Sequence, residues 1–439
     1  MCYDWVLETA LLSVVRHPNI IMLHDYDLQS ITIPLYTDSI DLIYDTLLPI
    51  EIDLLMSHIG SATLYLHENN ILHRDISPGN ILHKDRAFYI LTDFGMAVTT
   101  CAINYKALVQ TTCTRAPEVE FTESYKYTNS IDLWSLGILF AHVLTHRKFN
   151  VEDNEYMTVL ANVIKLRLDS DLFPFKGTKS YKQEKLRNLD ISRKRILLTE
   201  PPLDIPGEYH DMIMQLCHPD PRHRSNKLLA NRIHYVPREH KIMQPDAIVL
   251  QLSQLTHNVT HMRFILYEWL VELTIQMGIW VVILCHTLEL CDTYQKLKGD
   301  ILKEEYQLFG IVIMSIAAAV MDDVLVIEDM LYMCMDQYTV EQFNTMYYKI
   351  YNTIVTYIVP SPKMYTVAKS RQLKWSHVLR TILEVEDHHD LEQIMTVEEL
   401  SAHINTIMCK YASKNDIECA QKLQKLTVGY LKPLPWTIL

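Results

Sequence analysis

Three oxygen-bearing side chains lie at spacings that suit phosphoryl transfer. Asp75 and Asn80 stand close together in the segment His73-Arg74-Asp75-Ile76-Ser77-Pro78-Gly79-Asn80, and Asp93 follows in Asp93-Phe94-Gly95. Phosphoryl transfer needs little covalent help, only a carboxylate that takes or orients a hydroxyl proton and metal ions that hold the phosphates. The carboxylate and amide oxygens that this chemistry requires are therefore present in one short stretch.

The elements that would position these side chains can be predicted from apolar periodicity. Apolar residues recur at helical spacing from Trp5 to Val15 and again from Ile50 to Leu66, just before the first motif. The apolar run from Ile31 to Tyr36 predicts a strand. Two further runs on either side of Lys84-Asp85 predict a hairpin whose second strand ends beside Asp93.

The rest of the chain is predicted to be helical and to contain a second domain. Helical patterns run beyond Asp132 to about Tyr235 and again after His261, with a candidate linker between them. The length of 439 residues exceeds the roughly 250–300 at which single cores stop growing. We therefore expect a mainly α chain with two domains.

The amino-acid composition limits which partners and which cellular compartment are expected. The net charge of −13 argues against nucleic acid as a partner, because a polyanion would be repelled. Nine cysteines without a Cys-x-x-Cys pair indicate neither a disulfide framework nor a zinc site, so we expect a reducing compartment, cytoplasmic or nuclear. The most apolar stretch, Leu308 to Met321, is shorter than the ~20 residues that span a bilayer, so no membrane partner is expected.

The ordered set of motifs resembles eukaryotic-type protein kinases. Besides the two segments above, Ala116-Pro117-Glu118 follows at an allowed distance, and Asp132-Leu133-Trp134-Ser135-Leu136-Gly137 resembles the family's next helix. Arg224, in Asp220-Pro221-Arg222-His223-Arg224, completes the set. The resemblance implies a protein-kinase-like fold with a helical large lobe, in which Glu118 and Arg224 form a buried ion pair.

The resemblance also assigns roles to single residues. It implies ATP and Mg²⁺ as cofactors, Asp75 as the catalytic base, and Asn80 and Asp93 as ligands of Mg²⁺, which prefers oxygen. Glu8, with His17-Pro18-Asn19 after it, resembles the ion-pairing glutamate of the αC helix in cyclin-dependent kinases. The further residues of the catalytic loop and its supports are His73, Arg74, Ser77, Thr111 and Asp132. Among them, Thr111 matches a threonine that favours serine or threonine as the acceptor.

Four departures from the family pattern concern phosphate binding and activation. No glycine precedes Gly60 and no lysine precedes Lys84, so the chain shows neither the glycine-rich loop nor the strand lysine of the small lobe. Ser77 stands where such kinases usually carry a lysine, and Lys106 stands at the activating phosphothreonine position. Two expectations stay open: upstream sequence supplies the incomplete small lobe, or the chain is a degenerate kinase without efficient chemistry.

The region after His261 resembles a cyclin box, an all-α fold. The segment from Met262 to Leu273 matches its first helix, and Asp292 falls at the spacing of the aspartate that would pair with Arg263. Two residues that grip the kinase in that family are absent, because Ala319 or a close neighbour stands at the lysine position and Tyr347 at the glutamate position.

These resemblances imply a kinase domain lacking its first strands at 1–236, a linker at 237–255, a cyclin box at 256–359 and a helical region at 360–439, for which a degenerate second cyclin fold is one interpretation. The expected function is that of a cyclin-fused serine/threonine kinase of the cyclin-dependent type, acting on a protein substrate and regulated through an intramolecular kinase–cyclin contact. The alternative is a catalytically weak or dead scaffold that binds other cell-cycle kinases. The unusual fusion favours a large virus or a protist as the source, with the host cell as the compartment if it is viral.

Overall fold

The computed structural model forms two compact units, Cys2–Met243 and Gln244–Leu439. It describes residues 4–26, 30–100, 109–121, 128–146, 204–233, 266–267, 269–271, 273–274, 276–299 and 301–360. Helices are the main element in these ranges, in agreement with the predicted mainly α fold. The proposed linker and the region 361–439 lie outside the described residues, so both interpretations stay predictions.

The first unit begins with helix α1, Asp4–Val14, shifted by one residue from the predicted span. A short antiparallel hairpin follows, formed by β1 (Asp25–Tyr26) and β2 (Ile31–Thr32). The predicted strand from Ile31 to Tyr36 is therefore too long. Pro34 has no N–H to donate to a sheet, which accounts for the early end of this strand.

Helix α2, Pro49–Glu68, leads into the loop that carries the first motif. Its first turn contains a proline, which needs no hydrogen-bond acceptor there, and the Glu51 carboxylate accepts the N–H of Leu48 at 2.7 Å. Strand β4 (Ile71–Leu72) comes next and pairs antiparallel with β7 (Val98–Thr99). This pairing places the residues after β4 beside the residues before β7.

A three-stranded antiparallel sheet is built from one strand before β4 and two strands between β4 and β7. Its strands are, in spatial order, β3 (Asp38–Ser39), β5 (Ile81–Lys84) and β6 (Phe88–Leu91). Asp85 and Arg86 both have positive φ, 52° and 56°, as a type I′ turn requires, and this turn suits the twist of a hairpin. The predicted hairpin is confirmed, and its second strand ends just before Asp93.

The large lobe of the first unit is helical where it is described. Its helices are α3 (Pro117–Phe121), α4 (Ser130–Thr145), α5 (Gly207–Leu216) and α6 (Lys227–Arg232). Nearly all of α4 is buried, so it forms the centre of the lobe. A Cβ on Gly137 would lie 2.4 Å from Cys217 Sγ, so only glycine lets α4 and the end of α5 approach this closely.

The described part of the second unit consists of helices and contains no strand. Positions described between 266 and 276 are helical, and α7 (Val281–Lys298), α8 (Tyr306–Val320), α9 (Ile327–Met333) and α10 (Val340–Ile354) follow. Helix α8 packs against both α7 and α10 and confirms the apolar helix predicted over Leu308–Met321. None of the described helices is long and apolar enough to cross a membrane.

Candidate active site

Asp132, at the start of α4, fixes the backbone of the first motif. Its buried carboxylate accepts the N–H groups of His73 and Arg74, each at 2.9 Å, and contacts His67 Nε2 at 3.0 Å. Burial alone would raise the pKa of Asp132, but the bond from His67 and the neighbouring imidazoles outweigh it and lower the pKa. The ionised carboxylate thereby holds Arg74 at a φ of +64°, which non-glycine residues rarely adopt.

His73 joins the two motifs from inside the lobe. Its Nε2 lies 3.0 Å from the carbonyl oxygen of Thr92, which can only accept, so Nε2 carries the proton and Nδ1 accepts the Asp75 N–H at 3.3 Å. The ring also meets Phe94 edge-on, with centroids 5.0 Å apart. Burial lowers the pKa of His73, which favours this neutral tautomer.

The carboxylate of Asp75 is oriented by two residues. Its Oδ1 accepts both the N–H of Thr111, at 2.8 Å, and the Thr111 hydroxyl, at 2.7 Å. Its Oδ2 accepts Asn80 Nδ2 at 2.8 Å, and the same nitrogen donates to the Asp75 carbonyl at 2.9 Å. Because its nitrogen is committed in this way, Asn80 offers its amide oxygen as the atom that could bind a metal.

Glu8 and Asp93 approach each other across the second motif. Asp93 is exposed, has a φ of +62°, and accepts the Gly95 N–H at 3.2 Å. Glu8, on α1, accepts the backbone N–H of Phe94, and burial together with the negative charge of Asp93 raises the pKa of Glu8. The structure thus places Glu8 beside this motif, where the αC glutamate of the family is expected. Its neighbours here are the carboxylate of Asp93 and the backbone amide of Phe94.

Asn80 and Asp93 form a donor set that fits Mg²⁺. Mg²⁺ usually binds one or two protein carboxylates together with substrate phosphates and water, rather than a cage made only of protein. In the part of the chain that the structure describes, no cluster of three or more His, Cys, Asp or Glu side chains could hold a metal on its own. The two oxygens would therefore hold the ion jointly with the phosphates of a nucleotide.

Glu118 and Arg224 form the buried ion pair that the motifs suggest. Arg224 Nη2 donates to Glu118 Oε2 at 2.7 Å, and Nη1 donates to the other oxygen, which makes the contact bidentate. The remaining guanidinium donors reach the carbonyls of Ser130 at 3.0 Å and His218 at 2.8 Å, and the group lies 4.9 Å from the centre of the Trp134 ring. This pairing joins α3 to the segment before α6.

Gln110 and His67 are supporting residues that sequence reasoning missed. Gln110 is buried with a φ of +69°, donates to the Ile131 carbonyl at 3.0 Å and to Ser135 Oγ at 2.7 Å, and accepts the Ala116 N–H at 2.9 Å. It therefore ties the segment around Thr111 to α4. Neither a lone glutamine nor a histidine at a helix end gives a motif, so no sequence signal pointed to them.

The remaining predicted residues fall in different places. Ser77 is buried at the start of a short 3₁₀ turn, and Lys106 and Arg263 lie outside the described residues. Asp292 accepts a hydrogen bond from the Tyr267 hydroxyl, so its pairing with Arg263 stays a prediction. Tyr347 is completely buried within the second unit, so this position is part of a core and does not present a side chain for gripping a kinase.

Comparison with known families gives two matches. The chain matches the family described as Protein kinase domain over residues 3–236, and the family described as Cyclin, N-terminal domain over residues 232–358. Together they confirm the predicted order of a kinase-like fold followed by a cyclin fold.

Several curated proteins are similar to parts of the first region. Mitogen-activated protein kinase 5 of Arabidopsis thaliana is 43% identical over 82 residues, 18% of this chain and 22% of that protein. Serine/threonine kinase NLK of Caenorhabditis elegans is 32% identical over 155 residues, 32% of this chain and 24% of that protein. Mitogen-activated protein kinase 12 of Oryza sativa subsp. japonica is 32% identical over 162 residues, 32% of this chain and 27% of that protein. The chain thus matches about a quarter of the length of these relatives, and they do not support the cyclin-dependent type in particular.

Proposed function

Since the chain belongs to the protein kinase family and carries a cyclin domain after its kinase domain, we propose that it transfers the γ-phosphate of ATP to serine or threonine side chains of proteins. The observation that carries the proposal is the orientation of Asp75 by Thr111 and Asn80. A substrate hydroxyl within hydrogen-bond reach of this carboxylate would be oriented by it and would give it a proton.

The other residues position the reacting groups. ATP with Mg²⁺ supplies the phosphate, and Asn80 and Asp93 are the oxygen donors that would hold the ion. Asp132 and His73 keep the loop backbone of Asp75 in place, through the hydrogen bonds described above. Because Ser77 cannot supply the charge of a lysine, we expect slow transfer; the loss of one electrostatic donor costs about 10²–10³ in rate.

The contacts of Arg115 also affect which residue is expected to follow the acceptor serine or threonine in the substrate. The Arg115 guanidinium binds the backbone carbonyls of Val109, at 3.1 Å from Nε, and Gln110, at 3.0 Å from Nη2. These residues immediately precede Thr111, which touches Asp75, so a bound peptide would pass beside them. Because both carbonyls already accept hydrogen bonds from Arg115, the N–H of the substrate residue after the acceptor would gain little hydrogen bonding here. A proline at that position, which has no N–H, would therefore lose little.

We further propose that the kinase is of the cyclin-dependent type and that its own cyclin domain regulates it. The support is that both families occur in one chain, because joining two domains in one chain raises their effective concentration for each other. Regulation in cis predicts that activity per molecule stays constant when the protein is diluted from micromolar to nanomolar. Activity per molecule that falls with dilution would instead indicate regulation by a second molecule.

A second candidate is a scaffold that binds other cell-cycle kinases. It is favoured by the contact of Glu8 with Phe94 and Asp93, because an αC glutamate usually pairs with the lysine that binds phosphates.

Transfer from radiolabelled ATP to matched serine, threonine and tyrosine peptides separates the two candidates. The kinase proposal predicts Mg²⁺-dependent labelling of the first two peptides, and more when proline follows the acceptor. If the chain binds no MgATP and labels none of the peptides, the scaffold is the better account.

A further inference from the structure

The second unit contains a cavity of about 280 Å³ between the end of α7, the start of α8 and α10. Its inner wall is apolar and includes the rings of Tyr294 and Phe309, whose centroids lie 5.3 Å apart. Phe309 is 1% exposed, whereas Leu302, at the rim, is 66% exposed. The cavity therefore combines a fixed apolar wall with an uncovered leucine at its mouth.

The cavity is large enough to hold one large side chain. Small-molecule sites usually measure about 300–1,000 Å³ and enclose most of their ligand. At about 280 Å³ this cavity is at the small end of that range, and it exceeds the roughly 30 Å³ that a water molecule takes in the liquid several times over. A leucine or phenylalanine side chain from another polypeptide would fit inside it and could also contact Leu302.

The charged residues at the mouth of the cavity favour acidic residues next to that side chain in the partner. Lys298, at the end of α7, and Lys349, on α10, both line the cavity and are exposed, against one acidic residue, Glu305. Among the described lining residues the net charge is thus positive, in a chain whose net charge is −13. Such a patch attracts carboxylates on a partner and repels its lysines and arginines.

We propose that this cavity, here called the α7–α10 pocket, docks an acidic peptide segment of a partner protein through one large apolar side chain. Carboxylates on either side of that side chain would lie near Lys298 and Lys349. The pocket uses none of the residues of the candidate active site, so the docking does not depend on the proposed phosphoryl transfer.

Fluorescence anisotropy with the full chain tests the proposal. The probe is a fluorescein-labelled peptide, Gly-Asp-Glu-Asp-Leu-Phe-Asp-Glu-Asp-Gly, and the comparison peptides replace its acidic residues with serine or its Leu-Phe pair with Gly-Gly. We expect saturable binding of the probe only, weakened by added salt because charges at a surface are screened. Equal binding of the serine peptide, or no binding of the probe at 1 mM, would overturn the proposal.

Two variants with reversed charge locate the binding. The double variant Lys298→Glu/Lys349→Glu should weaken binding about tenfold or more, since two exposed attractions become repulsions. Lys296→Glu is the matched control, because this exposed lysine is on the same helix as Lys298 but does not line the pocket. This variant should bind the probe peptide within about twofold of the wild-type affinity. An equal loss in both variants would mean that general charge, not the pocket, binds the peptide. Leu302→Ser, at the exposed rim, should weaken binding without loss of the fold.

Discussion

Thr111 binds one oxygen of the Asp75 carboxylate twice, with its backbone N–H at 2.8 Å and its hydroxyl at 2.7 Å. The two residues are 36 positions apart in the chain, so the contact joins the catalytic loop to the segment before α3. Asn80 binds the other oxygen of the same carboxylate. The direction in which Asp75 faces a substrate hydroxyl therefore depends on Thr111.

Thr111→Val should lower kcat for peptide phosphorylation by about 10-fold to 100-fold. Valine keeps the shape but removes the hydroxyl, and a hydrogen bond to a charged group is worth about 1.5–3 kcal/mol. Thr111→Ser retains the hydroxyl and should keep kcat within about threefold. Since Thr111 is exposed, neither change should lower the melting temperature much. Equal losses of kcat in the two variants would contradict a role for the hydroxyl.

Glu8→Gln should raise the melting temperature at pH 7 in buffer without Mg²⁺. Burial and the charge of Asp93 raise the pKa of Glu8 above its usual 4.5. An acid with a raised folded-state pKa supports folding fully below its unfolded pKa and loses that support as pH rises through the folded value. At pH 7, well above its usual pKa, Glu8 therefore lowers the stability of the fold, and glutamine removes that effect.

The gain from Glu8→Gln should shrink as the pH falls towards 4.5, because the wild-type carboxyl then becomes protonated. Thermal unfolding followed by circular dichroism at several pH values measures it. Asp45→Asn, at an exposed carboxylate of the same unit, is the control and should change little at any pH. A gain that is the same at pH 7 and pH 4.5 would show that the charge of Glu8 is not its cause.

Arg224→Met should lower the free energy of unfolding by about 3–5 kcal/mol, because it leaves the Glu118 carboxylate buried without its cation. Adding Glu118→Leu should recover part of that loss, since an apolar pair avoids the unpaired charge. Urea unfolding measures both. Arg222→Met, in the same motif, is the control: its side chain is 82% exposed and pairs with Asp220 at the surface, so the loss should be much smaller than in Arg224→Met. A double variant less stable than the single one would contradict this account of the pair.

The sequence predicted the motif residues of the site because their spacing along the chain is itself the signal. Asp75, Asn80 and Asp93 belong to short segments, and the hairpin between β5 and β6 brings those segments together. Gln110 could not be predicted, since its role arises from contacts with Ile131 and Ser135 on a helix about 20 residues away.

One further difference between prediction and structure has a local cause, and at one other position the structure adds what the sequence lacked. The apolar run after Ile31 predicted a strand to Tyr36, but Pro34 interrupts it. At Tyr347 the sequence predicted only that a gripping glutamate is absent, and the structure adds that this tyrosine is buried beside Phe343 and Tyr351. Spacing along a helix gives the position of a residue but not whether neighbouring helices cover it.

The role of Asp75 as the base in phosphoryl transfer from ATP is the central proposal. The most direct test compares initial rates of peptide phosphorylation by the wild-type chain and by Asp75→Asn in the presence of Mg²⁺. We predict a rate at least about 100-fold lower for Asp75→Asn, in the range typical of a lost general base. Asp85→Asn, at the exposed hairpin turn, is the control for the same chemical change and should keep the wild-type rate. Equal rates for the wild type and Asp75→Asn would contradict the claim.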